Sequence, residues 1–435
     1  MSASLFEQFR KSLTIPNASD ISVSYAEITK RLNKDFWDSE SDSAHSLQVG
    51  SYGRHTAIKG VSDLDMAFEL PLDVFERLSN IQSNGPSQLL QEVRNSILNR
   101  YSTSEVKGDG QVVVVSLGKL RFEVLPVFFQ SDGSYRFGDS NNGGSWDNYC
   151  WPKEEIQAVN SLNGECNRNL KRVAKMLRAW KDTHGAPISG MLIDTLSFNF
   201  LKSNKNYNDK SYGSYPNLVR DILAYLANQP DQDYWLAPGS ASRVYSVGKF
   251  QSKAKKAAKK AQDALDAESD KDKHREWKDI FGRLYPALQS TSTAKMIESY
   301  GAQPSTEEFI EDKFPVDIHY NIEIGYDVHY SGNRELSSIR FMEATFPWLK
   351  LGRNINFYVI DCNVPEPYSL LWKVRNVGQL AESNNRIRGQ LESDKGHREK
   401  SESTSFGGPH YVECYVIKDE ICVARDKVDV LISSV

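Results

Sequence analysis

Polar and apolar residues alternate most regularly in the segment 63–71, "DLDMAFELP". Leucine, methionine and phenylalanine occupy every second position, and Asp63, Asp65 and Ala67 occupy the positions between them. A period of two residues is typical of a β-strand that buries one face. The pattern therefore predicts a strand that carries both aspartates on its open face.

Helical spacing of apolar residues appears on both sides of that strand. Apolar residues recur every four positions in 24–40, and a second helical run covers 86–101. The segment 110–130, "GQVVVVSLGKLRFEVLPVFFQ", predicts two strands that turn at Gly118. We therefore expect an α/β unit in the first part of the chain.

From about Pro152 the spacing becomes helical. "NRNLKRVAKMLRAWKDTHG" predicts a helix that ends at Gly185. A later Lys/Ala-rich stretch contains basic residues that could contact nucleic acid, but its apolar positions indicate one stripe of a solvated helix. That predicted stripe consists of Ala254, Ala258, Ala261 and Leu265.

From about Asp317 the sequence becomes rich in strand patterns again. In the segment 410–432, "HYVECYVIKDEICVARDKVDVLI", the residues "KDE" are expected to form a hairpin turn between two strands. The polar, glycine-containing segment 391–409 is expected to be a mobile loop. The C-terminal part is therefore predicted to be a separate β-rich domain.

Length, charge and cysteine content narrow the class of protein. The chain has 435 residues, which is more than one compact core usually holds. Its net charge of -4 argues against a protein that mainly coats nucleic acid. The N-terminus has no apolar leader segment and no run of about 18 apolar residues occurs, so we expect a cytoplasmic protein with no membrane partner. The five scattered cysteines lack C-x-x-C spacing and indicate neither a disulfide partner nor a zinc site.

Asp63 and Asp65 provide the first candidate chemistry. Two carboxylates at i and i+2 on one strand face lie close together, and both stay ionised at low cost only beside a cation. Glu123 in "LRFEVLP" is a third charged residue inside an apolar strand pattern. Divalent ions held by such carboxylates bridge phosphate oxygens in phosphoryl transfer. The three acids therefore predict a site for Mg²⁺ or Mn²⁺.

Gly50 and Ser51 precede these acids in the segment 49–71, "VGSYGRHTAIKGVSDLDMAFELP". A glycine lets backbone amides approach a triphosphate, and a hydroxyl at the next position can bond a terminal phosphate. An isolated Asp-x-Asp is more often a strand with exposed acids than a metal site. The order of glycine-serine turn, paired aspartates and later glutamate favours a nucleotide site beside a metal site.

The order of these residues resembles a known family signature. Gly50-Ser51, Asp63-x-Asp65 and Glu123 in "FEVLP" are similar to the motifs of the polymerase-beta-like nucleotidyltransferases. Many relatives have aspartate as the third acid. The longer glutamate side chain of this sequence can still reach a metal, so this departure is compatible with activity.

Further segments narrow the resemblance to the CD-NTase branch, which contains oligoadenylate synthetase, cyclic GMP-AMP synthase and the bacterial SMODS enzymes of antiphage defence. "GSYGRHTAI", with Thr56, and "EVLPVF", with Pro126, resemble the bacterial enzymes. In that family a basic residue on an Arg/Lys-rich helix, and a serine before the next helix, contact the donor triphosphate. The basic residue here is Lys175 or Arg178. The two residues lie at i and i+3 on one helix face, so the sequence does not decide which of them matches the family's residue. The substrate-binding residues that the resemblance implies are Gly50, Ser51, Thr56, Lys175, Arg178 and Ser189.

The C-terminal part resembles a second family domain, called AGS-C, which is proposed to sense nucleotides. The resemblance is carried by "LLWKVRNVGQLA", "RIRGQL", "GGPHYVECYVI" and "VARDKVDVLI". Several polar and aromatic residues there could stack on a base and hold phosphates, or could equally pack a β-sandwich. These residues are Trp372, Arg375, Arg388, His410 and Tyr411.

The expected fold class is therefore α+β. By resemblance, a polymerase-beta-like nucleotidyltransferase core spans 1–150, and a helical module that completes the catalytic cleft spans 151–316. A β-rich AGS-C-like domain is expected over 317–435.

The resemblance implies a metal-dependent nucleotidyltransferase that joins nucleoside triphosphates, ATP among them, and releases pyrophosphate. Asp63 and Asp65 would hold both metal ions, and Glu123 would hold the ion beside the attacking ribose hydroxyl. The product would be a cyclic oligonucleotide that activates a separate effector protein in antiphage defence.

Other functions are compatible with the same sequence. The product could be a linear RNA or DNA oligomer made from NTPs or dNTPs. Relatives of the Hailong defence type make DNA oligomers that are primed by a tyrosine of the C-terminal part. Tyr411 and Tyr415 are the possible counterparts here. The chain could also be a non-catalytic nucleotide-sensing module, or a transferase that modifies RNA ends or a protein.

Overall fold

The chain forms an α+β protein that packs as two compact units. The computed structural model describes residues 2–61, 63–288, 307–314, 316–330, 333–335, 349–377, 381, 386–405 and 407–433. The first unit comprises Met1–Arg178, Gly190–Tyr225 and Gln229–Ser246, and the second comprises Ala179–Ser189, Leu226–Asn228 and Val247–Val435. The division into three parts at residues 150 and 316 stays a prediction.

The helices before residue 247 are α1 (Ser2–Ser12), α2 (Ala18–Phe36), α3 (Gly50–Gly53), α4 (Leu72–Ser79), α5 (Gly85–Leu98), α6 (Pro152–Glu165), α7 (Asn169–His184), α8 (Gly190–Ser203) and α9 (Tyr215–Ala227). The strands are β1 (Ser46–Gln48), β2 (Asp63–Glu69), β3 (Glu105–Asp109), β4 (Val112–Leu117), β5 (Leu120–Phe129), β6 (Tyr135–Asp139), β7 (Ser145–Cys150), β8 (Tyr234–Leu236) and β9 (Arg243–Tyr245). Short 3₁₀ turns lie at Asn141–Gly143, Lys205–Tyr207 and Tyr212–Ser214.

A seven-stranded sheet organises the first unit. Its strands follow the order β1-β2-β5-β4-β3, and β6 pairs with β5 and β7. The pair β2 and β5 is parallel, and the other pairs are antiparallel. As the alternation in 63–71 predicts, Leu64, Met66 and Phe68 are buried against a core to which α2 and α5 contribute. Burial of this face leaves the aspartates of β2 on the opposite face of the sheet.

Two four-stranded sheets form most of the second unit. Its helices are α10 (Gln251–Asp266), α11 (Asp270–Phe281) and the short α12 (Ile310–Lys313), with a 3₁₀ turn at Gly282–Leu284. Its strands are β10 (Ile322–Tyr330), β11 (Asn333–Glu335), β12 (Asn354–Cys362), β13 (Ser369–Arg375), β14 (Arg388–Ser393), β15 (Glu399–Ser403), β16 (Gly408–Lys418) and β17 (Ile421–Ile432). The sheet orders are β11-β10-β12-β15 and β14-β13-β16-β17. Side chains from both sheets share one apolar core.

Local sequence signals in this unit have mixed outcomes. The predicted "KDE" hairpin is confirmed, since Asp419 and Glu420 link β16 to β17 with positive φ angles, as a two-residue hairpin turn requires. The prediction that α10 buries a stripe of alanines is confirmed, but two of the predicted positions are wrong. Ala257 and Ala264 are buried instead of Ala258 and Leu265.

Within the residues that the structure describes, no helix is both long and apolar enough to cross a membrane.

The prediction of a mobile loop over 391–409 is wrong in part. This segment contains the end of β14 and all of β15, which pairs with β12. Its alternation is between charged and small polar residues, so it carries no apolar signal for a strand. Pairing with β12 and ion pairs such as Lys400–Glu392 stabilise it instead.

Candidate active site

Three carboxylates meet on one face of the sheet in the first unit. In the parallel pair of β2 and β5, Asp65 lies directly opposite Glu123, and Asp63 lies opposite Arg121. Paired strands are about 4.8 Å apart, and residues in register point to the same side. All three acids are half-buried. The pairing thus brings together acids that are about sixty residues apart in the sequence.

Arg121 is a member of this group that the sequence analysis missed. Its guanidinium lies 2.9 Å from the Glu123 Oε1 atom and 3.6 Å from the Asp63 Oδ1 atom. Arg121 precedes Glu123 by two residues on β5, so strand periodicity could have placed both side chains on one face. The arginine neutralises part of the negative charge of the three acids.

Gly50 lies directly against Asp65. Its φ angle is +59°, and a Cβ built on it would lie 1.8 Å from the Asp65 Oδ2 atom. The backbone N–H of Val49 donates to the carbonyl of Asp65 at 3.0 Å. Only glycine combines this backbone conformation with so close an approach.

Ser51 follows Gly50 in the short helix α3 and is half-buried. Its carbonyl accepts hydrogen bonds from the N–H groups of Thr56 and Ala57 at 2.9 and 3.1 Å. These bonds fold the loop after α3 back onto its start. The glycine-serine turn therefore lies beside the acids, as the order of the motif predicts.

A buried polar network fixes the end of this loop. The Asp194 Oδ2 atom on α8 accepts hydrogen bonds from Arg54 Nε at 2.9 Å, Thr56 Oγ1 at 2.8 Å and Arg178 at 2.8 Å. Arg178 also donates to the carbonyl of Gly190 at 2.9 Å. Arg54, Thr56, Arg178 and Asp194 are each at most 7% exposed. The Thr56 hydroxyl and the Arg178 Nη2 group are thus bonded within the protein, and direct contact of either residue with a substrate stays a prediction.

The network extends from Arg54 to α6. Arg54 lies 3.8 Å from the Glu155 carboxylate, which also accepts a hydrogen bond from Ser240 at 2.9 Å. Burial raises the pKa of Glu155, and the charge of Arg54 opposes that rise. The glycine-serine loop is therefore held by α6, α7 and α8 together.

Lys175 lies in a cluster of positive charges on α7. The side chain is half-buried, and burial lowers its pKa, with further lowering by Lys171 and Arg10. The pKa of His55 is likewise lowered by burial first and then by Lys171 and Lys175. Half-buried lysines that repel one another are typical of sites that bind anions.

Ser189 directly precedes α8, whose first residue Gly190 accepts the bond from Arg178. The role of Ser189 in binding phosphate stays a prediction. The structure thus brings together four of the predicted residues, and it places Lys175 in a basic cluster. The four residues brought together are Gly50, Asp63, Asp65 and Glu123.

The acids have the chemistry that a divalent metal site requires. Asp63, Asp65 and Glu123 offer only carboxylate oxygens, which are the ligands that Mg²⁺ and Mn²⁺ prefer. Within the described residues, the guanidinium of Arg121 lies beside Glu123 and Asp63. Carboxylate oxygens that attract the guanidinium cation of Arg121 also suit a positively charged metal ion.

Two family models match this chain. Residues 1–163 match the Second Messenger Oligonucleotide or Dinucleotide Synthetase domain, SMODS. The first part of the chain therefore contains a SMODS nucleotidyltransferase domain. Residues 304–433 match the Adenylyl/Guanylyl and SMODS C-terminal sensor domain, AGS-C. The resemblance to both families that the sequence motifs indicate is confirmed.

Several solved structures are similar to this SMODS protein. CdnC of E. coli MS115-1, in a complex with HORMA-deltaN, is 14% identical with a TM-score of 0.49, covering 66% of this chain and 99% of that one. The STING-associated CdnE c-di-GMP synthase from Capnocytophaga granulosa is 14% identical with a TM-score of 0.46, covering 63% and 84%. The apo form of Vibrio cholerae DncV is 14% identical with a TM-score of 0.43, covering 56% and 69%. No curated protein matches the chain.

Proposed function

We propose that this SMODS enzyme joins nucleoside triphosphates into a cyclic oligonucleotide second messenger in a reaction that requires Mg²⁺ or Mn²⁺. The observation that carries the proposal is the register of β2 and β5, which sets Asp65 opposite Glu123 with Asp63 on the same face. Gly50 lies against Asp65, and Ser51 follows Gly50 in the short helix α3. Phosphate and metal sites side by side are what nucleotidyl transfer needs.

Asp63, Asp65 and Glu123 would hold the divalent ions. When bound, such ions neutralise phosphate charge and lower the pKa of the attacking ribose hydroxyl. The residues of the chain contribute positioning. The turn at Gly50 lets the triphosphate approach the backbone, and the Ser51 hydroxyl bonds a terminal phosphate.

The basic cluster on α7 would hold the terminal phosphates together with Ser51. Lys175 is the residue we assign to the β- and γ-phosphates, because it is half-buried among other positive charges. Arg178 and Thr56 act as positioning residues, since Asp194 already binds both. Ser189 precedes α8 and remains the second candidate for phosphate contact.

The product would leave the enzyme and act on a separate effector protein of antiphage defence in the cytoplasm. The family description as a second messenger synthetase supports this role. Priming by tyrosine is a less favoured alternative for the two tyrosines considered. Tyr415 is buried and donates to Glu413, and Tyr411 donates to Glu307. Burial is also the main cause that raises the pKa of both hydroxyls, which weakens them as nucleophiles.

The test is to incubate the full chain with each radiolabelled NTP and dNTP, with Mg²⁺ or Mn²⁺, and to separate the products after phosphatase treatment. We expect a phosphatase-resistant product from NTPs that Asp63→Ala/Asp65→Ala loses. Asp109→Ala, an exposed aspartate on β3 of the same sheet, is the matched control and should retain the product. A ladder of products, or label that stays on the protein, would indicate linear synthesis instead of cyclisation. No product under any condition would oppose catalysis.

A further inference from the structure

Arg121 of β5 lies beside the candidate metal ligands but is bonded to them incompletely. Its guanidinium is 2.9 Å from the Glu123 carboxylate, but 3.6 Å from that of Asp63, which is too long for a hydrogen bond. In the part of the chain that the structure describes, the buried Nε–H group of Arg121 has no hydrogen-bond partner. A buried donor without an acceptor is costly. Arg121 therefore holds the acids with part of its donor capacity unused.

The side chain of Arg121 is not locked in place by the core. It is 29% exposed. Its neighbour in register on β4 is Ser116, whose side chain is small. Side chains that reach solvent change rotamer rapidly and without repacking of the interior. The guanidinium is therefore held beside Glu123 by charge alone.

The guanidinium of Arg121 and a divalent ion would compete for the same carboxylate oxygens, because two cations at such short range repel each other. Metal ions in phosphoryl transfer bridge carboxylate and phosphate oxygens, so a triphosphate arrives beside the same acids. We propose that Arg121 leaves Glu123 when metal and nucleotide bind and then donates to a phosphate oxygen of the nucleotide. Arg121 is thus the counter-ion of the metal-free acids and also a substrate-binding residue.

A triphosphate is a suitable second partner for this side chain. Arginine binds phosphate through two parallel N–H donors, which is also how it binds a carboxylate. The Nε–H group that lacks a partner and one terminal N–H group form such a fork. The charge of arginine is permanent, so the exchange of partners requires no proton transfer. This inference rests on the proposed function, which supplies the metal and the nucleotide.

The exchange predicts that Arg121 contributes to nucleotide binding only when metal is present. Without metal, the guanidinium stays on the acids and the phosphates do not meet it. With metal bound, the guanidinium is released and gains the phosphate. A residue that served only as a counter-ion would not affect nucleotide binding to the metal-loaded chain, and a residue that only held the fold would affect binding in both conditions.

The test is a calorimetric titration of the full chain with an ATP analogue that has a methylene group between its α- and β-phosphates and so cannot release pyrophosphate. The titration is run in excess Mn²⁺ and again in EDTA. We expect Arg121→Gln to weaken binding by at least about tenfold in Mn²⁺, because a charge-assisted phosphate contact is lost. In EDTA the loss should be less than about threefold, because only the distant charge is removed.

Two further variants separate charge from geometry. Arg121→Lys keeps the positive charge but not the two-donor fork, so it should recover only part of the affinity in Mn²⁺. Arg77→Gln breaks an exposed ion pair with Glu92 and is the matched control, which should bind like the wild type in both conditions. Thermal unfolding of each variant checks that it is folded at the temperature of the titration.

The proposal is overturned if Arg121→Gln binds the analogue normally in Mn²⁺, or if it loses the same factor of affinity in Mn²⁺ and in EDTA. Either result leaves the proposed function intact as long as the wild type binds Mn²⁺ and the analogue. A wild type that binds neither would overturn the proposed function together with this inference. The two failures are therefore distinguishable.

Discussion

Gly50 approaches Asp65 so closely that a Cβ on the glycine would lie 1.8 Å from the Asp65 carboxylate. The turn that we assign to phosphate binding and an acid that we assign to metal binding are therefore in contact. Since Asp65 also pairs in register with Glu123, a shift of the turn would move the candidate metal site with it.

Gly50→Ala should abolish most of the activity. The new methyl group must displace the Asp65 side chain, and a displacement of about 1 Å at a reacting centre can cost about a hundredfold in rate. Gly118→Ala is the matched control, because its φ angle of +63° gives similar backbone strain while a Cβ there meets no atom within 4 Å. Turnover of labelled NTP measures both variants. Equal loss in the two would show that backbone strain alone is responsible.

Arg121→Gln should strengthen binding of Mn²⁺ to the nucleotide-free chain by roughly threefold to tenfold. The substitution removes a positive charge that lies 2.9 Å from Glu123 and repels a metal ion. Mn²⁺ binding followed by electron paramagnetic resonance gives the dissociation constant. Arg77→Gln breaks an exposed ion pair with Glu92 elsewhere in the unit and should leave that constant unchanged. Weaker Mn²⁺ binding in Arg121→Gln would contradict the assignment of this face to metal.

Asp194→Ala should lower the free energy of unfolding by about 3–5 kcal/mol, because Arg54 and Arg178 would stay buried without their carboxylate. Urea unfolding followed by tryptophan fluorescence measures the change. Asp209→Ala removes an exposed partner of Lys210 and should leave the free energy of unfolding nearly unchanged. If the free energy of unfolding falls as little in Asp194→Ala as in Asp209→Ala, the network does not stabilise the fold.

Lys175→Ala should raise the KM for NTP about tenfold with a smaller effect on kcat, because a charge-assisted bond to the triphosphate is lost in both ground and transition states. The comparison is Lys205→Ala, an exposed lysine in a 3₁₀ turn of the same unit. Arg178→Gln should instead lower stability, since Arg178 binds Asp194. An unchanged KM in Lys175→Ala would show that another residue binds the phosphates.

Glu413 should make the stability of the second unit depend on acid pH. Burial raises the pKa of Glu413, but Arg425 at 3.0 Å and Lys373 at 3.3 Å outweigh burial and depress it from 4.5 to about 2. The stabilisation from these ion pairs is therefore present above pH 4.5 and is lost as the pH falls towards 2. The full loss amounts to about 3 kcal/mol.

The measurement compares wild type with Glu413→Gln by urea unfolding at about pH 6 and about pH 3. We expect the stability difference between the two proteins to shrink by about 2 kcal/mol at the lower pH. Glu420→Gln, in the exposed turn between β16 and β17, serves as the control and should show no such change. A difference that is independent of pH would contradict the depressed pKa.

Local patterns predicted much of the fold and part of the site. The alternation around Asp63 and Asp65 predicts β2 and the face that carries the acids. The helical spacing predicts α5 to within a few residues and most of α2, which begins at Ala18 instead of Ser24. These predictions succeed because side-chain periodicity depends only on neighbouring residues. The strand β15 was missed, because its pairing partner lies more than forty residues away and its own sequence is polar.

The sequence by itself determined the family of this protein and the residue types of its candidate site, since Gly50-Ser51, the paired aspartates and Glu123 occur in one order. Only the tertiary structure decided which charged groups meet. Arg121 lies among the acids because β2 and β5 pair in one register, and Arg178 on α7 binds Asp194 on α8. The energy of a charged side chain depends on its burial and on partners distant in the sequence, and neither is encoded in the local pattern.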